Sequence, residues 1–154
     1  MISESKIVEL VEAKLRDTDF FIVKITISTG NKIEVELDGD NGFPISECVN
    51  FSKQIESNLD REEEDFSLRV STPGLTKPFL VFRQYAKNLG RVVKVTTSEG
   101  NEYEGELKIA TEQEIEIEIR RMERLEKKKK KVEVIEKITL SMEIIKETKL
   151  KLVF

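Results

Sequence analysis

The 154-residue sequence contains no histidine and a single cysteine, Cys48. Without histidine, the His-based catalytic triads, the commonest general base and the usual zinc ligands are all excluded. One cysteine excludes an internal disulfide and a multi-cysteine metal site, and it suits a reducing cytoplasm. Three prolines and seven glycines are too few for a low-complexity tail. No apolar run approaches the ~18 residues of a membrane span. The opening MISESKIVELVEAK carries acids where a signal peptide would need an apolar core, so neither secretion nor membrane insertion is expected. What is present is a chain 38% hydrophobic and 36% charged, which fits a soluble protein of one domain or two small ones with thin cores.

The net charge of −4 hides a segregation. Between Phe66 and Ser98 there are six bases (Arg69, Lys77, Arg83, Lys87, Arg91, Lys94) and no acid. Arg120 to Lys131 holds eight bases against Glu123 and Glu126, a net of +6. Residues 1–65 hold 16 acids and seven bases, a net of −9. Such a chain can present a positive surface to RNA and a negative one to a basic protein. The plain alternative is that both basic blocks are only solvated surface.

Hydrophobic spacing organises the chain. Residues 4–16 read as an amphipathic helix with Ile7, Val8, Val11 and Leu15 on one face and Ser3 as N-cap. FFIVKITIS and KIEVELD alternate as strands, with Phe21, Val23, Ile25 and Ile27 inward on the first, and the Thr29-Gly30-Asn31 turn makes them a hairpin. Ser46 is placed to cap a second helix carrying Cys48, Ser52, Ile55 and Leu59 at core spacing, which makes Cys48 a small core residue rather than a nucleophile. DREEED is an acidic loop, FSLRVS a third strand, and FLVFRQYAKNLG a short helix ended by Gly90. From Arg91 the pattern changes to short strands with one apolar and one charged face. Tyr103, Leu107 and Ile109 share one face there, as do Ile115, Ile117 and Ile119. RRMERLEKKKKK is expected as an exposed loop, with VEVIEKITL, one helical turn at MEIIKET and a last strand KLKLVF after it. The expected fold class is α+β: an N-terminal α/β sandwich domain over 1–89 and a small antiparallel β-barrel or sandwich over 90–154, with the boundary near Asn88–Gly90.

The most distinctive stretch is STPGLTKP, residues 71–78: a strand running into a Pro73-Gly74 turn, where Gly74 is free to take positive φ, with Pro78 opening a helix. Together with ISECVNFSKQIESNLD before it, Gly90, EYEGEL and the terminal IIKETKLKLVF, it resembles the bacterial ribosome maturation factor RimP family over nearly the whole chain. Ser71, Pro73, Gly74, Leu75 and Pro78 match that family's S-S-P-G-L-D-R-P-L signature, and Cys48, Ser52, Leu59 and Asp60 match its preceding helix. Thr72, Thr76, Lys77 and Phe79 depart from it, and Arg69 stands where an acid is usual. The Lys127–Lys131 run is longer and more basic than the family pattern.

The resemblance implies an α/β domain followed by an SH3-like (Sm-like) barrel. It also implies a non-enzymatic factor that binds the free small (30S) ribosomal subunit during its late maturation in the cytoplasm, with small-subunit ribosomal protein twelve and 16S rRNA as partners. No cofactor, metal or membrane is implied, and a monomer is expected. Candidate ribosome or RNA contacts are Lys77, Arg83, Lys127, Lys128, Lys129, Lys130 and Lys131, and candidate protein-partner contacts are Glu62, Glu63 and Glu64. Competing readings are a general single-stranded RNA-binding protein of Sm-like type and a carboxylate hydrolase. The first needs exposed aromatics for base stacking, and after Gly90 only Tyr103 and Phe154 are present. The second needs a carboxylate in an apolar context, which the sequence does not offer. Phe79, Phe82 and Tyr85 read as a hydrophobic contact, with base stacking the alternative.

Overall fold

The computed structural model describes residues 1–124 and 131–152, without the side chains of 122–124 and 131–132. The chain divides into two compact units, Met1–Gly74 and Leu75–Phe154. In the first, helix α1 (Glu4–Leu15) precedes strands β1 (Phe20–Ser28) and β2 (Lys32–Gly39), then helix α2 (Ile45–Ser57) and strand β3 (Ser67–Ser71). The sheet order is β1-β2-β3, antiparallel across the hairpin and parallel between β2 and β3. The parallel pair follows from α2, which supplies the long connection that such a pair needs. Ser3 caps α1 as its spacing predicts, its Oγ accepting from the Lys6 N–H at 3.3 Å. Ile7 and Val11 of α1 and Ile55 of α2 are fully buried with Ile33, Val35 and Leu37 of β2.

Two details depart from the periodicity. Ser46 does not cap α2: Pro44, with extended φ −71° and ψ 158°, precedes the helix, and no side chain caps it. Phe51, absent from the expected stripe, is the main anchor of α2 at 1% exposure, and its ring lies 5.6 Å from Phe43 and 6.5 Å from Phe20. In β1 the pairing register shifts between Ile22 and Lys24. A bulge reverses the parity of a strand. Phe20 and Ile22 therefore pack on the helical core together with Ile25 and Ile27, whereas Phe21 and Val23 are buried outside that core.

The second unit holds helix α3 (Phe82–Lys87) and strands β4 (Val92–Thr97), β5 (Glu102–Ala110), β6 (Glu114–Arg124), β7 (Lys131–Ser141) and β8 (Ile145–Leu150). They form one antiparallel sheet in the order β7-β6-β5-β4-β8. Among the described residues β7 and β8 remain edges and the sheet does not close. Residues 75–89, read from the sequence as part of the first domain, belong to this unit. The physical reason is Tyr85, which is buried in the core of Val93, Val95, Leu107, Ile115, Ile117 and Leu140. Its hydroxyl donates to Thr148 Oγ1 at 2.8 Å, Phe79 N–H donates to the Thr148 carbonyl at 2.8 Å, and Gly90 N–H donates to the Leu107 carbonyl at 2.7 Å.

Further differences concern element ends. Pro78 does not open the helix, which begins at Phe82, although Gly90 ends that segment at φ +86° as its position predicts. Of the expected loop at 120–131, the described residues are strand: β6 and β7 stay in register down to Arg124 opposite Lys131, and residues 125–130 lie outside the described residues. Residues 142–144 form a turn, and β8 begins at Ile145, earlier than the expected last strand. A register shift between Leu107 and Ile109 leaves Ile109 52% exposed, not inward with Leu107.

Gly105, like Gly39, is a glycine that packing requires. A Cβ there would meet the Glu118 carbonyl oxygen at 2.7 Å and Ile119 Cγ1 at 3.1 Å, whereas one on Gly74 would meet nothing within 4 Å. Gly105→Ala is expected to lose about 1–3 kcal/mol in urea denaturation, and Gly74→Ala to stay within about 0.5 kcal/mol of the parent. The unit boundary gives a second expectation. A fragment of residues 75–154 should show dispersed amide resonances, and one of 91–154, which lacks Tyr85, should collapse towards a poorly dispersed spectrum. Equal dispersion of the two would show that Tyr85 is dispensable to that core.

Candidate functional site

The signature corner begins at Ser71, the last residue of β3. Thr72, Pro73 and Gly74 leave the sheet without a left-handed residue: Gly74 is absent from the positive-φ glycines, so its expected conformation is corrected to an ordinary one. Leu75 is 63% exposed and Pro78 half-buried. Phe79 then turns in, its ring 5.0 Å from that of Tyr85 at 87°. Lys77 and Arg83 are exposed, and neither is without a partner. Of the three aromatics in this segment, Tyr85 is core, Phe79 is half-buried against it, and Phe82 keeps 37% of its surface.

The acidic loop is more structured than its composition suggests. Asn31, held at φ +54°, accepts from Ile2 N–H at 3.0 Å and donates from Nδ2 to Glu64 Oε2 and to the Asp65 carbonyl, both at 3.1 Å. Arg61 lies 4.1 Å over the Phe66 ring and pairs with Asp65 at 3.1 Å. Glu64 is thus tied to the β1–β2 turn, and Glu62 and Glu63 remain exposed. Nothing in the local sequence marks Asn31 as the residue that organises a loop thirty positions away.

In the second unit, β6 beyond Glu118 is paired by β7 alone, so the two strands continue as a ribbon past the β5 ladder. Arg120 reaches Glu118 at 3.4 Å and Glu133 at 3.8 Å, and Arg121 reaches Glu136 at 2.8 Å. The side chain of Lys131, and the whole of Lys127, Lys128, Lys129 and Lys130, lie outside the described residues. Along the sheet, glutamates that the sequence displays as an acidic face are matched by bases: Lys94 with Glu102, Lys151 with Glu104, and Lys108 with Glu106 and Glu118. The hydrogen bond from Lys151 holds the Glu104 carboxyl below its usual range, and the bond to Glu106 raises Lys108.

At the opposite end of β6 a groove of about 320 Å³ opens between the start of α3 and the β7–β8 turn, floored by Phe79, Phe82, Met142 and Ile145. No feature of the sequence predicted it, because its walls are 60 residues apart along the chain. Among the described residues, no group of three or more His, Cys, Asp or Glu is placed to hold a metal, and no helix is long and apolar enough to cross a membrane. Cys48 is half-buried against the first core, and burial pushes its thiol up, away from the thiolate a nucleophile needs.

This arrangement offers charged and apolar surfaces, and comparisons with known proteins identify the family. A family model described as the RimP N-terminal domain matches residues 10–76, from within α1 into the signature stretch. Ribosome maturation factor RimP of Christiangramia forsetii is 39% identical over 112 residues, 72% of each chain. The chain belongs to the RimP family. RimP of Flavobacterium psychrophilum is 42% identical over 99 residues, 64% of each chain, and RimP of Porphyromonas gingivalis is 39% identical over 107 residues, 70% of each. The RimP N-terminal match stops at Thr76, so the ribbon and the groove lie outside it.

Tyr85 generates a test of the groove's foundation. Burial lifts its phenol above the ordinary tyrosine range, and the Thr148 hydrogen bond offsets part of that. A raised folded-state value means that the neutral phenol is favoured on folding. That contribution is full below the unfolded-state value and disappears as pH rises through the folded-state value. Tyr85→Phe is expected to cost about 1–2 kcal/mol near neutrality, from the fully buried Thr148 hydroxyl losing its partner. It should also flatten the alkaline loss of stability. Denaturation curves at neutral and alkaline pH measure both.

Proposed function

We propose that this RimP-family chain is a non-enzymatic ribosome maturation factor of the cytoplasm that binds the free small (30S) ribosomal subunit and assists its late maturation. The observation that carries the reading is identity of 39–42% over most of the chain to relatives so named. We further propose that its second unit is a variant of the SH3-like (Sm-like) barrel. Five antiparallel strands whose register shifts between Leu107 and Ile109 and between Thr96 and Thr97 support that, since bulges bend a sheet towards closure.

The proposed partners are 16S rRNA and small-subunit ribosomal protein twelve. The ribbon is the proposed RNA side. Arg120 and Arg121 are engaged with glutamates, so the phosphate contacts fall to Lys127–Lys131. Lys77 and Arg83 are secondary candidates, because each would exchange an existing partner for a phosphate. Glu62 and Glu63 are the proposed contacts with a basic protein, with Glu64 holding the loop in shape. A general single-stranded RNA binder is less well supported, because Tyr103 packs against the core of the second unit and is not presented for stacking.

Sedimentation of the tagged protein through a gradient of ribosomal particles tests the reading. Enrichment on free small subunits and absence from assembled ribosomes is the expected result, and even distribution over all RNA would overturn it. The replacement of Lys127–Lys131 by glutamine should weaken small-subunit binding. If three lysines neutralise phosphates, the log–log salt dependence should become shallower by about 2 to 3. Stability should change little, because exposed charges contribute little.

A further inference from the structure

β7 is an edge of the second sheet, and over Lys131–Ser141 it is paired by β6 alone. Its outward row of backbone N–H and C=O groups meets no strand among the described residues. Sheets guard such an edge with a proline, a bulge, a short strand or charge. The first three are missing here: eleven residue pairs run without a register shift, and the strand contains no proline. The guard that remains is charge. Side chains alternate along the strand. Ile138 and Leu140 pack on the core, so Glu133, Ile135 and Lys137 share the opposite face. Ile135 stands between the two charges, 51% exposed. Glu133 reaches Arg120 at 3.8 Å, and the exposed Lys137 makes no ion pair among the described residues.

We propose that β7 pairs with β7 of a second copy of this chain, antiparallel about a two-fold axis through Ile135, to give a weak dimer. Self-complementary charge selects this occupant and this register. With Ile135 opposite its own counterpart, Glu133 lies opposite Lys137 of the second copy, and the axis repeats that pair on its other side. Opposite charges and apolar residues set directly opposite attract across a strand pair, and like charges repel. A two-fold pairing of this kind sets one residue opposite itself, so the register moves only by choosing another residue. Centring on Glu136 puts that carboxylate against itself, and centring on Val134 puts Lys131 against Lys137. Glu136 keeps Arg121 of its own chain at 2.8 Å, on the other face of the strand. The basic ends do not oppose the pairing. Lys131 falls opposite Thr139 of the second copy, eight positions from the second Lys131. That is roughly 27 Å at the rise of an extended strand, well beyond a Debye length of about 8 Å. One strand pair covers less area than a stable interface needs, so the monomer expected from the resemblance is the dilute state. The inference rests on β7 alone and stands apart from the ribosome reading, which gradient sedimentation tests separately.

Sedimentation velocity of the full-length chain from about 10 µM to about 1 mM, the range of weak complexes, tests it. The expected result is a reversible, concentration-dependent rise from monomer to dimer mass. Glu133→Lys alone and Lys137→Glu alone should each weaken the dimer about tenfold, because the axis repeats each like-charge contact. An equimolar mixture of the two variants should regain the parent's association, since both pairs are then again of opposite sign. Glu133 and Lys137 are exposed, and an unchanged circular dichroism spectrum establishes that both variants fold. In the parent protein, the amide resonances of residues 133–139 should shift as concentration rises. A parent that stays monomeric throughout the range, single variants that dimerise like the parent, or a mixture no stronger than its components would overturn the proposal. So would concentration-dependent shifts confined to β8 or to residues 79–85, which would put the second copy at the other edge or at the groove. Shifts of β7 produced by a single-stranded RNA oligonucleotide in a chain that stays monomeric would overturn it as well.

Discussion

Thr148 is fully buried at the edge of the second sheet and is held twice, its hydroxyl by Tyr85 and its carbonyl by Phe79 N–H. A β8 edge without these bonds would leave a hydroxyl and a carbonyl to find other partners, at a cost of about 1–3 kcal/mol each if buried unpaired. With them, the segment after the signature is drawn onto the sheet. Tyr85 fills the core, Phe79 stacks edge-on against it, and the groove floor exists because both rings are fixed there. The signature residues Ser71–Pro78 therefore run from the end of β3 to the segment that packs on the second sheet, and Pro78 opens no helix. Gly74 needs neither positive φ nor close approach in this arrangement.

Alternation along the strands was legible wherever the register ran unbroken. Ile33, Val35 and Leu37 are all fully buried, as are Ile115 and Ile117. It failed at the bulges. One extra residue near Val23 and another near Lys108 reverse parity, and no propensity marks either position because a bulge is a property of two strands, not one. Phe51 was missed for a related reason. The stripe through Cys48 and Ser52 has helical spacing, but the face that buries is set by the Phe20 and Phe43 rings, which arrive from elsewhere in the chain. The boundary between units was misplaced because composition changes at Arg91, whereas packing changes where Phe79 and Tyr85 turn inward.

The candidate site was legible as charge and illegible as geometry. Blocks of sign can be counted along a sequence, and the RimP resemblance could be traced through STPGLTKP residue by residue. Pairing cannot be counted in that way. Glu118 is 9% exposed between Lys108 and Arg120, and Glu64 is committed to Asn31. A groove whose walls come from residues 79–85 and 142–147 has no linear signature.

The Lys94–Glu102 and Lys151–Glu104 pairs of the second unit are exposed, and pairs of that kind contribute about 0–1 kcal/mol each. Stability is therefore a weak reason for a sheet face lined with glutamates. Their larger effect is on the field. Lys94, Lys108 and Lys151 cancel Glu102, Glu104 and Glu106 along the middle of the sheet. Charge that is cancelled at contact distance adds little beyond a Debye length of about 8 Å. What reaches solution is the uncancelled remainder, to which the sequence from Arg124 to Lys131 contributes a positive block. A positive block of that kind steers an approaching polyanion before contact. The many glutamates of this unit therefore do not contradict the RNA contact proposed for it, because bases beside Glu102, Glu104, Glu106 and Glu118 cancel much of their charge.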